Sequence, residues 1–192
     1  MMNIAVLISG SGSNLQTLID ACERKEIDAK IVSVYSNKKN VYGLNRAEKH
    51  GIKTYHLEDL ESLCDTNYDL IVLAGFLKIL PKNVVEKYEH KIINIHPSLI
   101  PSFCGKGYYG MKVHQAVIDY GVKVTGCTTH FVSEGADEGP IIMQKWLQVE
   151  DDDAQSIQKK VLELEHQCLV ESVKAFVEGR IEVKDRKVSI HE

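Results

Sequence analysis

Nearly continuous apolar runs recur along the first half of the chain. They cover residues 3–8, 29–35, 70–74 and 92–95. Runs of this length predict strands that are buried on both faces, as in parallel sheets. Segments with helical spacing of apolar residues separate them, at 15–24, 42–50 and 83–88. The alternation predicts an α/β fold of Rossmann-like type: an open, mostly parallel twisted sheet with flanking helices and right-handed crossovers.

The second half of the chain has a different pattern. Residues 122–132 and 141–149 form two strand-like stretches joined by a glycine-punctuated connection, which predicts an antiparallel strand unit. The acidic run 151–153 precedes apolar residues at helical spacing, and Gly179 follows them, so we expect a long C-terminal helix over 154–178. Residues 181–190 alternate as a terminal hairpin does. Neither a repeat nor a second domain is indicated.

Composition and charge narrow the class of protein. The chain has 192 residues, of which 44% are hydrophobic and 26% charged, as expected for a soluble globular protein. A net charge of −4 gives no support for bulk attraction to nucleic acid or to an anionic membrane. The apolar runs are well below the roughly 20 residues of a membrane span, and we expect a cytoplasmic protein. Scattered cysteines without a C-x-x-C pattern argue against disulfides and thiolate zinc sites.

Candidate chemistry appears where the fourth apolar run ends. Asn94 and His96 are two residues apart, so on a strand their side chains point to the same side. Pro97 cannot continue the hydrogen-bond ladder because it has no N–H. In open α/β sheets ligands bind at the carboxyl ends of the strands, which makes this pair a candidate site. A strand-end turn with a structurally bonded histidine is the alternative.

A second candidate site follows the first strand. Gly12, Ser13 and Asn14 lie between the strand and a helix, where backbone N–H groups form a ready anion site. The stretch is neither a full G-x-G-x-x-G nor a P-loop, so a single phosphate suits it better than a dinucleotide or a triphosphate. The structural alternative is a turn in which Ser13 caps the helix.

Three further segments have less regular patterns. Residues 75–81 are apolar without helix or strand periodicity, and either enter the core or line a pocket for a flat apolar ligand. The Gly/Tyr loop 102–112 is either a mobile lid or a connector. The turn 133–140 carries Asp137. A carboxylate beside an amide and an imidazole suits oxyanion stabilisation and proton transfer, and the sequence shows neither a nucleophile elbow nor paired metal-ligand spacing.

Several blocks of this sequence together resemble the folate-dependent formyltransferases. They are Asn-Ile-His-Pro-Ser-Leu-Ile-Pro at 94–101, His-Phe-Val at 130–132 and Asp-Glu-Gly-Pro-Ile at 137–141. The block Ile-Ser-Gly-Ser-Gly-Ser-Asn-Leu at 8–15, with the chain length, is similar to the phosphoribosylglycinamide formyltransferases of purine synthesis. The resemblance extends from about residue 3 to about residue 179.

The resemblance implies a formyl transfer from 10-formyltetrahydrofolate, as co-substrate, to the amine of 5'-phosphoribosylglycinamide, without a metal. It implies one formyltransferase domain over 1–192, with a phosphate-binding half at about 1–100 and a folate-binding and catalytic half at about 101–192. The partners are then these small molecules, with neither nucleic acid nor membrane, in a monomer or a homodimer.

The resemblance also implies roles for single residues. Asn94 and a protonated His96 hold the oxyanion of the tetrahedral intermediate, and Asp137 raises the pKa of His96 by favouring the imidazolium. Gly12, Ser13 and Asn14 bind the substrate phosphate, and Glu165 binds the glycinamide end. The residues implied for folate are Leu77, Lys78, Ile79, Leu80, Asn94, Ser133, Glu134, Gly135, Ala136 and Asp137.

Two other functions fit the same residues. One is a sibling reaction, either formylation of another amine or hydrolysis of the formyl-folate. The other is a non-catalytic module that binds a phosphate ligand, in which His96 is structural.

Overall fold

A computed structural model describes residues 1–150 and 153–192. A 3₁₀ helix spans Leu60–Asp65, between the third and fourth strands. Two of the acidic residues expected ahead of the long helix, Asp151 and Asp152, lie outside the described residues. The other elements, in chain order, are β1 (Met2–Ile8), α1 (Ser13–Glu23), β2 (Ala29–Ser36), α2 (Tyr42–Lys49), β3 (Lys53–His56), β4 (Leu70–Leu73), α3 (Lys82–Lys87), β5 (Ile92–His96), α4 (Met111–Tyr120), β6 (Val124–Phe131), β7 (Ile141–Gln148), α5 (Ala154–Val177), β8 (Ile181–Lys184) and β9 (Lys187–Ile190).

The strands of the described residues form one sheet in the order β3-β2-β1-β4-β5-β6-β7-β9-β8. From β3 to β5 neighbouring strands run parallel, whereas β6 is antiparallel to β5, and β7 to β6. The terminal hairpin of β8 and β9 joins β7 through the pair Ile141 and Lys187. This topology confirms the predicted α/β fold, with its mostly parallel sheet and its antiparallel unit.

Burial on both faces explains the continuous apolar pattern of β1. Residues Ile4, Val6 and Ile8 contribute to the larger core cluster, which also contains residues of α1 and α5. Ala5 and Leu7 face the opposite side and join the cluster that includes α3. Each side chain of this strand segment therefore has an apolar environment, whichever way it points.

The helix α5 covers the antiparallel part of the sheet. It begins after Asp153, whose side chain accepts a hydrogen bond of 2.7 Å from the backbone N–H of Ser156. It ends before Gly179, which adopts a positive φ of 68°. Its buried stripe is mostly apolar, and Leu164 and Phe176 are partly buried against the core. The stripe also contains Glu165, so an ionisable carboxyl group lies within this interface.

Gly126 lies where the backbones of β6 and β7 approach each other closely. A Cβ added to this residue collides with the carbonyl oxygen of Lys145 and lies 2.8 Å from the Cα of Trp146. We predict that Gly126→Ala lowers the free energy of unfolding by about 1–3 kcal/mol, as overpacking does, in urea denaturation. The control is Gly10→Ala, because a Cβ there meets nothing within 4 Å. Equal losses in the two variants contradict the close approach.

Candidate active site

Asn94 and His96 lie on β5, and the carboxylate of Asp137 joins them. Asn94 Nδ2 lies 3.4 Å from Asp137 Oδ1, and His96 Nδ1 lies 3.5 Å from Asp137 Oδ2. Because both side chains meet one carboxylate, they point to the same side of the strand, as the two-residue spacing predicts. The structure therefore brings together the three residues that the resemblance selects.

The turn that carries Asp137 reaches this position from the opposite end of β5. Since β6 is antiparallel to β5, it finishes beside the amino end of that strand, where Val132 N–H donates to the carbonyl of Ile92 at 2.9 Å. The turn 133–140 then folds back towards Asn94 and His96. The site thus combines the carboxyl end of β5, where the sequence places it and where His96 is the last residue, with the turn that follows β6.

Several donors hold the Asp137 carboxylate in its ionised form. Gly105 N–H donates to Oδ2 at 2.9 Å, and His130 Nε2 lies 3.6 Å from Oδ1. Burial acts to raise the pKa of Asp137, but His130, His96 and the Gly105 N–H together outweigh it, so that the pKa lies below its usual value. Asp137 itself has a positive φ of 59°, a conformation that few residues other than glycine adopt.

The imidazole of His96 is buried, with 5% exposure. Its Nε2 lies 3.0 Å from the carbonyl oxygen of Phe103. A carbonyl can only accept, so Nε2 carries the proton and Nδ1 faces Asp137. Burial lowers the pKa of His96, and Asp137 acts in the opposite direction without compensating for it. Asp137 thus acts on this pKa in the expected direction, but the desolvation of the buried ring has the larger effect.

His130 is a member of the cluster to which the sequence assigned no role. It pairs with Asn94 across β5 and β6, and its Nε2 lies 3.0 Å from Asn94 Nδ2. Its Nδ1 donates to the carbonyl of Phe131 at 2.8 Å, and its Nε2 lies close to both the Asn94 amide and the Asp137 carboxylate. His130 therefore contacts two of the three selected residues at once. The strand alternation predicted its strand, but the pairing register that sets this contact is not visible in the sequence.

A third histidine of this region is His114 on α4, which is also buried. Burial and the neighbouring His96 lower the pKa of His114 to about 4, so it is neutral at physiological pH. The sequence analysis selected no residue of this helix. A neutral ring there adds no further positive charge beside His96.

The loop proposed to bind phosphate leads directly into α1, as the sequence predicts. Gly12, with a φ of 72°, is the N-cap residue, instead of Ser13. The side chain of Asn14 donates from Nδ2 to Oε2 of Glu165 at 2.8 Å. Its amide therefore faces α5, and the backbone N–H groups of the loop remain the groups suited to an anion.

Glu165 is an ionisable residue of α5 that lies in the protein interior. It is 8% exposed, and burial raises the pKa of its carboxyl group to about 7, although the Asn14 hydrogen bond acts downward. The protonated form of this carboxyl group therefore persists to higher pH than it does for an exposed glutamate. It links the start of α1 to the middle of α5, across 151 positions of sequence.

The two segments selected for folate lie next to each other. Lys82 Nζ is 2.8 Å from Glu134 Oε1, an ion pair that joins the start of α3, directly after the segment 77–80, to the turn 133–140. Leu77 and Ile79 are 49% and 66% exposed, whereas Leu80 is buried in the core. Exposed apolar side chains beside a turn are the kind of surface on which a flat ring stacks.

Within the described ranges 1–150 and 153–192, histidine, cysteine, aspartate and glutamate side chains form no group of three or more that could hold a metal ion. The described helices are each too short or too polar to span a bilayer.

The chain is similar to formyl transferases in both sequence and structure. The formyl transferase family model matches residues 2–173. A phosphoribosylglycinamide formyltransferase of Haemophilus influenzae is 40% identical over 202 residues, covering 96% of this chain and 92% of that protein. A trifunctional purine biosynthetic protein adenosine-3 of Gallus gallus is 39% identical over 95% of this chain, which spans 19% of that protein's length.

Solved structures agree with this similarity. A glycinamide ribonucleotide transformylase of Symbiobacterium toebii superimposes with a TM-score of 0.92 at 35% identity, covering 100% of this chain and 95% of that one. A formyltetrahydrofolate deformylase of Pseudomonas syringae has a TM-score of 0.89 at 28% identity, covering 100% of this chain and 66% of that one. The resemblance drawn from the sequence is confirmed, and the chain belongs to the formyl transferase family of enzymes.

Proposed function

We propose that this enzyme transfers the formyl group of 10-formyltetrahydrofolate to the amine of 5'-phosphoribosylglycinamide, a step of de novo purine biosynthesis, in the cytoplasm and as a monomer or homodimer. The observation that carries the proposal is the convergence of Asn94, His96 and Asp137 in a member of this family. The relatives named for this reaction support the choice of amine.

The chemistry of the cluster suits direct transfer. The substrate amine attacks the formyl carbon, and the carbonyl oxygen becomes an oxyanion. Asn94 Nδ2 and a proton on His96 Nδ1 donate to that oxyanion, which favours protonation of His96 as negative charge develops beside it. Asp137, ionised and adjacent, accepts the proton of the attacking amine. The intermediate collapses and the bond from carbon to folate N10 breaks. N10 takes up the proton that Asp137 accepted from the amine, which restores the carboxylate.

The remaining residues divide between the two substrates. The N–H groups at Gly12, Ser13 and Asn14 bind the phosphate. Glu165, held by Asn14, then meets the ribosylglycinamide part that follows the phosphate. The folate ring lies between the apolar segment 77–80 and the turn 133–137, with Asn94 at its reactive end.

Hydrolysis of the formyl-folate is the second candidate. The superposition on a formyltetrahydrofolate deformylase favours it, because the two reactions need the same oxyanion site. The phosphate loop and Glu165 favour transfer, since water needs neither group. The two functions differ in whether turnover requires the ribonucleotide.

The first experiment is a spectrophotometric assay of folate release. It uses 10-formyltetrahydrofolate with and without 5'-phosphoribosylglycinamide. We expect turnover when both substrates are present. Folate release without the ribonucleotide indicates the hydrolase, and folate binding without any release indicates another amine acceptor.

Asp137→Asn tests the proposed chemistry. The variant keeps the shape of the side chain and removes the charge that accepts the proton and supports an imidazolium at His96. We predict a fall in kcat of about 10²–10³, the usual effect of losing a group that acts on transition-state charge. Glu138→Gln is the matched control, because that neighbouring acid is exposed. A kcat within threefold of wild type for Asp137→Asn contradicts the assignment.

Glu165 gives a prediction for pH. Its pKa is higher in the folded than in the unfolded chain, so the folded protein binds more protons between about pH 4.5 and pH 7. Stability therefore falls as pH rises through this window, by on the order of 3 kcal/mol at most. We predict that Glu165→Gln removes this part of the pH dependence in urea unfolding. Glu163→Gln, an exposed neighbour on α5, is the control and leaves it unchanged.

A further inference from the structure

The loop that contains Gly12, Ser13 and Asn14, which we name the phosphate loop, is hydrogen-bonded to α2. Gly43 N–H donates to the carbonyl of Gly10 at 3.1 Å, and Arg46 Nε donates to the carbonyl of Ser11 at 2.9 Å. A Cβ on Gly43 collides with the side chain of Ile8 and lies 3.0 Å from the Gly10 carbonyl oxygen. The helix thus approaches the loop as closely as a glycine backbone permits.

These two hydrogen bonds set the direction of the loop N–H groups. In a planar trans peptide the C=O and the following N–H point in opposite directions. With the carbonyls of Gly10 and Ser11 turned towards α2, the N–H groups of Ser11 and Gly12 point away from it. The N–H groups of Ser13 and Asn14 open from the first turn of α1. Consecutive N–H groups of this kind form a concave anion site.

Arg46 is itself held in place. Its Nη1 donates to Gln16 Oε1 at 3.3 Å, and its guanidinium lies 4.8 Å from the centre of the Tyr42 ring. The side chain is half-buried. Residues 9–16 contain neither lysine nor arginine, so Arg46 brings a fixed positive charge to a loop that has none of its own.

We propose that Arg46 is a positioning residue for the nucleotide phosphate. It pins the Ser11 carbonyl, keeps the loop N–H groups turned towards the anion, and places its charge behind them. Arg46 acts through the loop and does not touch the phosphate, because the Ser11 carbonyl stands between the guanidinium and the N–H groups. The inference rests on the proposed phosphate role of Gly12, Ser13 and Asn14.

Two variants of Arg46 test this role. Arg46→Gln removes the charge and the Nε donor, while Arg46→Lys keeps the charge and loses the planar fork. The matched control is Lys49→Gln, which removes one exposed positive charge from the same helix, 5.9 Å from the Tyr42 ring centre. The probe is ribose 5-phosphate, titrated by calorimetry without folate.

We expect both Arg46 variants to bind ribose 5-phosphate about tenfold more weakly, the effect of one lost hydrogen bond to a charged group. Lys49→Gln keeps wild-type affinity. In the formyl transfer assay, the KM for the ribonucleotide rises about tenfold for Arg46→Gln, while kcat and the KM for the folate stay within about twofold. A merely structural role does not produce this separation of the two KM values.

Other results overturn the inference. If Arg46→Lys binds ribose 5-phosphate with wild-type affinity, the positive charge alone is sufficient and the loop needs no positioning by the guanidinium. If Lys49→Gln loses as much affinity as the Arg46 variants, any positive charge on this helix has the same effect. A lower Tm for Arg46→Gln with unchanged affinity means a structural role. Failure of the wild type to bind ribose 5-phosphate also overturns it, while folate release tests the proposed function separately.

Discussion

The ionised carboxylate of Asp137 is the interaction on which the site depends. Asn94, His96, His130 and the backbone of Gly105 all face its two oxygens. A partly buried charge is stable only when such partners compensate for its lost hydration. The same partners come from β5, from β6 and from the loop after β5, so the carboxylate fixes how these three parts of the chain meet. Placing the carboxylate among these partners requires a left-handed backbone conformation at Asp137, which is strained for a residue other than glycine.

A second buried carboxyl group has the opposite character. Glu165 has a single amide as its partner among the contacts of the described residues, and its pKa is raised where that of Asp137 is lowered. Two carboxyl groups of one protein are thus kept in different protonation states by the number of donors around them. A group whose pKa lies near 7 can gain or lose a proton when a polar ligand arrives, whereas the partners around Asp137 favour its ionised form.

The structural features that depend on local periodicity could be predicted from the sequence. Continuous apolar runs predicted the parallel strands, and the spacing of Asn94 and His96 predicted that they share a side. The resemblance supplied Asp137. The sequence did not reveal His130 as the partner of Asn94, because that contact depends on the register between two strands. Nor did it reveal Arg46 behind the phosphate loop or the link from Asn14 to Glu165, which arise from packing between distant segments.

The turn 133–140 is closed by a hydrogen bond from Phe131 N–H to the Pro140 carbonyl, and the ion pair of Glu134 with Lys82 ties it to the start of α3. Gly139 passes so close to Phe131 that even a methyl group does not fit. The turn therefore holds Asp137 and the residues proposed for folate in one segment whose two ends are fixed. Under the proposed roles, a change in the length of this turn would displace the carboxylate and the folate contacts together, so evolution could not adjust one of them through this segment without the other.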